Sequence, residues 1–153
     1  MAVRFILSIL ITISLTSWAT AKNIKPNERL TAYEVLKIQL EALKNNDKPK
    51  MDNGIEQTWL FAHPQNKIIT GPLDRFKLML YDVHYKILLN HKSHKIKLIS
   101  NSLNKYVFGV TILSSTKELY FYEWHLETGD EKNCKNCWFT SSVSFPFQQG
   151  NTI

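Results

Sequence analysis

Residues 105–126 read KYVFGVTILSSTKELYFYEWHL. Tyr106, Phe108, Val110 and Ile112 alternate with Val107, Gly109, Thr111 and Leu113. After the turn-prone Ser114-Ser115-Thr116-Lys117 the alternation resumes, with Tyr120, Tyr122, Trp124 and Leu126 on one face and Leu119, Phe121, Glu123 and His125 on the other. A period of two marks a half-buried strand, and two such runs joined by a short polar connector make a hairpin. Upstream, residues 94–100 set Ile96 and Leu98 against lysines, and Asn101-Ser102-Leu103-Asn104 is an equally short link. Downstream, residues 137–145 supply a fourth strand. The expectation is an antiparallel meander of about four strands.

N-terminal to Val83 the period is helical. Thr31-x-x-Glu34 is a capping box, with Leu30 and Val35 placed as its hydrophobic staple. Tyr33, Leu36, Leu40 and Leu43 then fall on one stripe, and Asn45-Asn46-Asp47-Lys48-Pro49 ends the helix. A second helix starts near Asn53, where Asn53-x-x-Glu56 can cap, and puts Ile55, Trp59 and Ala62 on one face. In residues 59–76, WLFAHPQNKIITGPLDRF, Pro64 removes a backbone donor and biases His63 away from helical geometry. The chain reads there as a stop, a polar turn and a third helix from Pro72, with Leu73, Phe76, Leu80 and Val83 as its stripe. Helices first and a sheet afterwards give an α+β domain: about three helices on one face of a curved antiparallel sheet.

Residues 1–21 carry a positive start at Arg4, an apolar run from Phe5 and the small-residue site Ala19-Thr20-Ala21. This is the pattern of a secretory signal cleaved after Ala21, and the apolar run is shorter than the ~20 residues of a spanning helix. A polar leader over 22–29, a single domain over 30–147 and a tail over 148–153 follow. A domain of this length buries roughly two-thirds of its unfolded surface and needs no staple. The net charge is +6, and loss of Arg4 leaves +5. Between Asp82 and Glu118 there is no acidic residue, but there are Lys86, Lys92, Lys95, Lys97, Lys105 and Lys117. Lysines of this kind solvate a sheet and blunt its edge. Nucleic acid is a poor partner for an exported chain.

The segments VLKIQLEALKNND, FAHPQNKIITGPLDRF, LLNHKS and NCWFTSSV resemble the motifs of an uncharacterised family. It is a domain-of-unknown-function family of bacteria, cyanobacteria and plant plastids, related to the nuclear-transport-factor-2-like fold. The resemblance spans roughly residues 30–145, and the block from Asn66-Lys67 through Thr70-Gly71-Pro72 to Arg75-Phe76 is its most specific part. Where the family has Asp-Gly, this chain has Ser141-Ser142, so a carboxylate is missing. The resemblance implies a cone in which helices and curved sheet close around a cavity. It brings no activity with it, and a fold of this kind does not dictate one.

Three groups of side chains could carry chemistry. Cys134-Lys135-Asn136-Cys137 in an exported chain suggests a disulfide. Closing it requires Lys135-Asn136 to turn the chain, because residues three apart on a straight strand face opposite ways. A redox pair, two free thiols, and a zinc site shared with His91-x-x-His94 are the other readings. Glu123 and His125, with His63, could serve as base and acid on a small carbonyl compound if they lined the cone. Trp59, Tyr120, Tyr122, Trp124 and Trp138 are core aromatics that could also line a ligand cavity. No serine elbow, phosphate loop or HExxH motif is present. The function expected is an exported non-enzymatic binding or accessory protein without a cofactor or metal. It would hold a small apolar ligand, or meet a protein partner or a second copy of itself through the sheet, with no membrane span after signal removal. An isomerase- or hydratase-like enzyme using a carboxylate and a histidine is the alternative. Convergence of two or more of Glu123, His125, His63 and Asp74 on a closed cavity would favour the enzyme.

Overall fold

The computed structural model describes residues 22–132 and 134–151. The expected signal, residues 1–21, and its cleavage site lie outside the described residues. The chain is α+β, with the helices preceding a curved, five-stranded antiparallel sheet and packing on one of its faces.

Helix α1 (Ala32–Lys44) begins with the capping box read from the sequence. Thr31 Oγ1 accepts from the Glu34 N–H at 3.2 Å and the Glu34 carboxylate accepts from the Thr31 N–H at 2.8 Å. Val35, Leu36, Leu40 and Leu43 are buried. Tyr33, expected in that stripe, is half exposed. It sits in the first turn, and its ring meets Phe108 with a centroid distance of 6.2 Å while the rest faces solvent.

Helix α2 (Asn53–Leu60) crosses α1 with backbone against backbone. A Cβ on Gly54 would lie 2.2 Å from the Ala42 carbonyl oxygen, so only glycine permits the crossing. The expected Asn53 cap does not form. The buried Asn46 side chain at the end of α1 caps α2 instead, its Oδ1 accepting from the Ile55 N–H at 3.0 Å.

Residues 64–70, expected as a polar turn, are a helix, α3 (Pro64–Thr70). Pro64 does stop α2, but it also suits the first turn of a new helix. The His63 ring caps that helix, Nδ1 accepting from the Gln65 N–H at 3.2 Å. Helix α4 (Leu73–Tyr81) follows Pro72 and buries Phe76 and Leu80. Val83 lies beyond its end and is exposed, which removes it from the expected stripe. A short 3₁₀ turn, Lys86–Leu88, leads to the sheet.

The strands are β1 (Ser93–Asn101), β2 (Lys105–Leu113), β3 (Glu118–Glu131), β4 (Cys134–Val143) and β5 (Phe147–Asn151). The order is β1-β2-β3-β4, and β5 joins β3 on the side that β4 occupies. Strand β4 pairs with the far part of β3, from Trp124 to Glu131, and β5 with the near part, from Glu118 to Phe121. Ser144 keeps the ladder alive between them. Its N–H donates to the Glu123 carbonyl and its Oγ accepts from the Glu123 N–H, both at 2.9 Å. Residues 148–151, expected as a polar tail, are therefore part of the sheet. The polar leader is tied down too, because the Gln57 carboxamide takes both the N–H and the carbonyl of Ile24 at 2.7 Å.

The core forms where the stripes of α1, α2 and α4 meet Phe108, Val110, Ile112, Tyr122, Trp124 and Leu126. At one edge Lys95 and Lys97 stand exposed on β1. At the other, the chain between α2 and α3 covers part of β4. Thr140 donates its N–H to the Phe61 carbonyl and accepts from the His63 N–H, each at 2.8 Å. Among the described residues no helix is long and apolar enough to cross a membrane.

Candidate functional site

The alternation of β3 divides the candidate residues between two sides of the sheet. Tyr122, Trp124 and Leu126 are buried under the helices, whereas Glu123 and His125 point the other way and remain partly exposed. Glu123 Oε2 and His125 Nε2 stand 3.7 Å apart on that outer face. His63 lies at the β4 edge. Its ring meets Phe139 edge-on with centroids 6.2 Å apart and closes over Gly129, where a Cβ would come within 2.7 Å of Nε2. Asp74 is exposed in the first turn of α4.

Inside, between the helices and the sheet, is a cavity of about 160 Å³. Leu43 of α1, Phe76 and Leu80 of α4, Leu88 and Trp124 form its apolar wall. The partly exposed residues Asn66 and Thr70 of α3, Met79 of α4 and Ser141, Ser142 and Val143 of β4 form its mouth. No charged side chain and no histidine among the described residues lines it. Glu123, His125, His63 and Asp74 all lie elsewhere.

One corner of the cavity is polar, and its hydrogen bonds have a forced direction. An indole N–H can only donate, so Trp124 Nε1 donates to Thr140 Oγ1 at 2.9 Å. The Thr140 hydroxyl then gives its own hydrogen to Gln39 Oε1 at 2.6 Å. That fixes the carboxamide, whose Nε2 donates to the Thr58 carbonyl at 3.3 Å. Beside this chain the Thr58 hydroxyl is buried and makes no hydrogen bond. Buried polar atoms are rarely left so, since each costs about 1–3 kcal/mol.

Of the five aromatic candidates, Trp124 lines the cavity. Tyr122 is buried and donates to the His84 carbonyl at 2.8 Å. Trp59 packs on Phe76 with ring centroids 4.9 Å apart, and Trp138 stands edge-on to Tyr106 at 5.1 Å. Tyr120 lines a separate open groove with His84, Lys86 and Glu118. Gln39, Thr58 and Thr140, which build the polar corner, were not among the candidates. Gln39 carried a signal, lying between Leu36 and Leu43 at helical spacing, where an apolar residue would ordinarily stand.

The cysteines and histidines do not come together. Cys134 and Cys137 are joined by a disulfide, and Asn136, at φ 52°, makes the turn that this requires. His91 is buried, with Nδ1 facing the Leu88 carbonyl at 2.7 Å and Nε2 facing His94 Nδ1 at 2.8 Å. A carbonyl can only accept, so Nδ1 carries the His91 proton and Nε2 accepts from His94. Burial pushes the His91 imidazole down to about 4 and also lowers His94, against the pull of Glu41 at 3.6 Å. With its proton on the Leu88 carbonyl and its lone pair taken up by the His94 N–H, the His91 ring has no free nitrogen for a metal. Among the described residues no cluster of three metal-ligating side chains exists.

Comparison of the chain with family models, curated proteins and solved structures finds no match.

Proposed function

We propose that this chain is an exported, non-enzymatic binding or accessory protein that holds a small, largely apolar molecule in the cavity between its helices and its sheet. The observation that carries this reading is the separation of the cavity from every acid–base candidate. A working hydrolytic, isomerising or hydrating site needs a nucleophile or base, an acid and an oxyanion donor converging on one point. The cavity brings together aliphatic and aromatic side chains, amides and hydroxyls. Such a lining supports retention of a ligand better than its conversion. Export is supported by the signal-like residues 1–21, and the disulfide and the lack of a spanning helix among the described residues are compatible with it. The motif resemblance and the α+β order together favour kinship with the nuclear-transport-factor-2-like superfamily.

A second reading, pairing through the sheet, is favoured by the outer face. There Phe121 lies over Gly109 and against Ile99, and Phe147, its cross-strand neighbour, is exposed. Native mass spectrometry of protein purified from its own exported fraction separates the two. A mass excess of a small organic molecule on the monomer supports the cavity reading. A bare monomer that takes up no small molecule contradicts it, and a bare dimer favours the sheet.

A further inference from the structure

We propose that the end of the β1–β2 hairpin docks on a lipid surface carrying anionic headgroups. Its uncharged tip enters the interface and the lysines beneath it meet the phosphates. This surface is separate from the cavity and does not depend on what the cavity holds.

The turn from β1 to β2 is closed by the Ser102 N–H, which donates to the Lys105 carbonyl at 2.7 Å. It leaves Leu103 96% exposed, more than any other large apolar residue among those described. Leu98 and Ile99, at the bulge of β1, are 46% and 50% exposed. The tip is held to the sheet by the Thr128 N–H, which donates to the Asn104 carbonyl at 3.0 Å. Apolar residues exposed singly are ordinary. Here three stand close together in a stretch, residues 98–104, that has no charged side chain. Only an apolar medium rewards burial of such a tip.

Below this stretch come Lys95 and Lys97 of β1, exposed and without an ion pair among the described residues. The β3–β4 turn lies at the same end of the antiparallel sheet and adds Lys132 and Lys135, also exposed and without an ion pair. The carboxylates of this end are engaged. Glu127 pairs with Lys105 at 2.9 Å, Glu131 pairs with Lys67, and Asp130 accepts from the Asn136 N–H at 2.8 Å. Four lysines therefore dominate the local charge, in a chain whose net charge is +6.

Protection of a free edge accounts for Lys95 and Lys97. It does not account for an uncharged apolar tip beyond them. An anionic polysaccharide or a nucleic acid would use the lysines and leave Leu103 in water. A lipid surface uses both. Interfacial segments bury their apolar side by about 5–10 Å, and the strand from Leu98 to Asn101 is about 10 Å long. Insertion to that depth brings the lysines to the headgroups, where each adds attraction to an anionic surface.

The test sediments protein purified from its own exported fraction with two kinds of vesicle, phosphatidylcholine alone and phosphatidylcholine with phosphatidylglycerol at three to one. The mixed vesicles should bind the chain about tenfold better than the neutral ones. Leu103→Ser should weaken that binding about tenfold, as loss of one buried leucine side chain does. Its melting temperature should not change, because the residue is exposed. Lys95→Gln combined with Lys97→Gln should weaken binding to a similar degree and reduce its dependence on salt. In Leu103→Trp the added indole should shift its emission to the blue on the mixed vesicles, which reports insertion of the tip directly. No binding to the mixed vesicles, or binding that none of these substitutions changes, would overturn the proposal. Binding lost with the lysines but kept in Leu103→Ser, without a blue shift in Leu103→Trp, would overturn it as well and give the surface to an anionic polymer.

Discussion

Strand β3 presents two chemistries on its two faces. Inward, Tyr122, Trp124 and Leu126 are buried, and Trp124 begins a chain of hydrogen bonds that ends at Thr58. Outward, Glu123 and His125 stand in partial contact with solvent, 3.7 Å apart. The outer face holds the residue types from which catalysts are made, but no enclosure. The inner face has the enclosure and, among the described residues that line it, no carboxylate and no imidazole. A carboxylate and an imidazole do not make a site until something excludes water around them, and the period of two keeps these on the wrong side of the sheet.

The comparison is broken most easily from the inside. Leu40 is fully buried in the stripe of α1 that faces the sheet. Leu40→Ala should lower unfolding free energy by about 2–5 kcal/mol in denaturant melts, as core truncations do. A loss below about 1 kcal/mol would mean that α1 is not docked on the sheet. Gly54→Ala acts on the same layer, since its Cβ would run into the Ala42 carbonyl at 2.2 Å and force α1 and α2 apart. The expected loss is about 1–3 kcal/mol, the range for overpacking. An unchanged midpoint would show that the helices do not cross so closely.

Buried His91 sharpens the comparison through pH. Its imidazole titrates at about 4 in the folded chain because burial opposes its charge, against about 6.5 when unfolded. Above pH 6.5 both states are neutral and nothing is gained or lost. As the pH falls from 6.5 toward 4, the unfolded chain takes up a proton that the folded chain refuses, and stability drops by on the order of 3 kcal/mol. His94, lowered by burial as well, acts in the same direction. His91→Gln should flatten the curve of stability against pH in that window. A variant curve parallel to the wild type would show that His91 is not the group being protonated.

The smallest effect is expected outside. Glu123→Gln and His125→Asn should each change stability by less than about 0.5 kcal/mol, as substitutions of partly exposed surface residues do. Neither should alter uptake of a neutral probe. A large effect of either on binding would move the site to the outer face.

Much of the scaffold was legible in the residues. The capping box at Thr31 and Glu34, the stripe of Leu36, Leu40 and Leu43, and the alternation of β2 and β3 all act through local geometry, which sequence spacing encodes directly. Other features depended on partners distant in the chain. Residues 64–70 looked like a turn because Pro64 both ends and begins helices, and the choice is made by the His63 ring and by the pairing of His63 with Thr140. The tail became β5 because β4 leaves the near part of β3 unpaired and Ser144 bridges the gap. The polar corner was the least visible. Gln39 and Thr140 are 101 residues apart, and each alone reads as an ordinary polar residue. Only their joint burial against Trp124 shows Thr58 to be the group left over.

The central claim is that recognition takes place on the inner face of the sheet and involves no charge. Methyl-resolved NMR of the full domain, titrated with cyclohexanone, tests it most directly. The methyl signals of Leu43, Ala62, Met79, Leu80 and Thr58 should shift in saturable fashion, while those of Ile99, Val107 and Leu119 on the outer face stay in place. Saturable shifts confined to the outer-face methyls, with the cavity signals unmoved, would contradict the account.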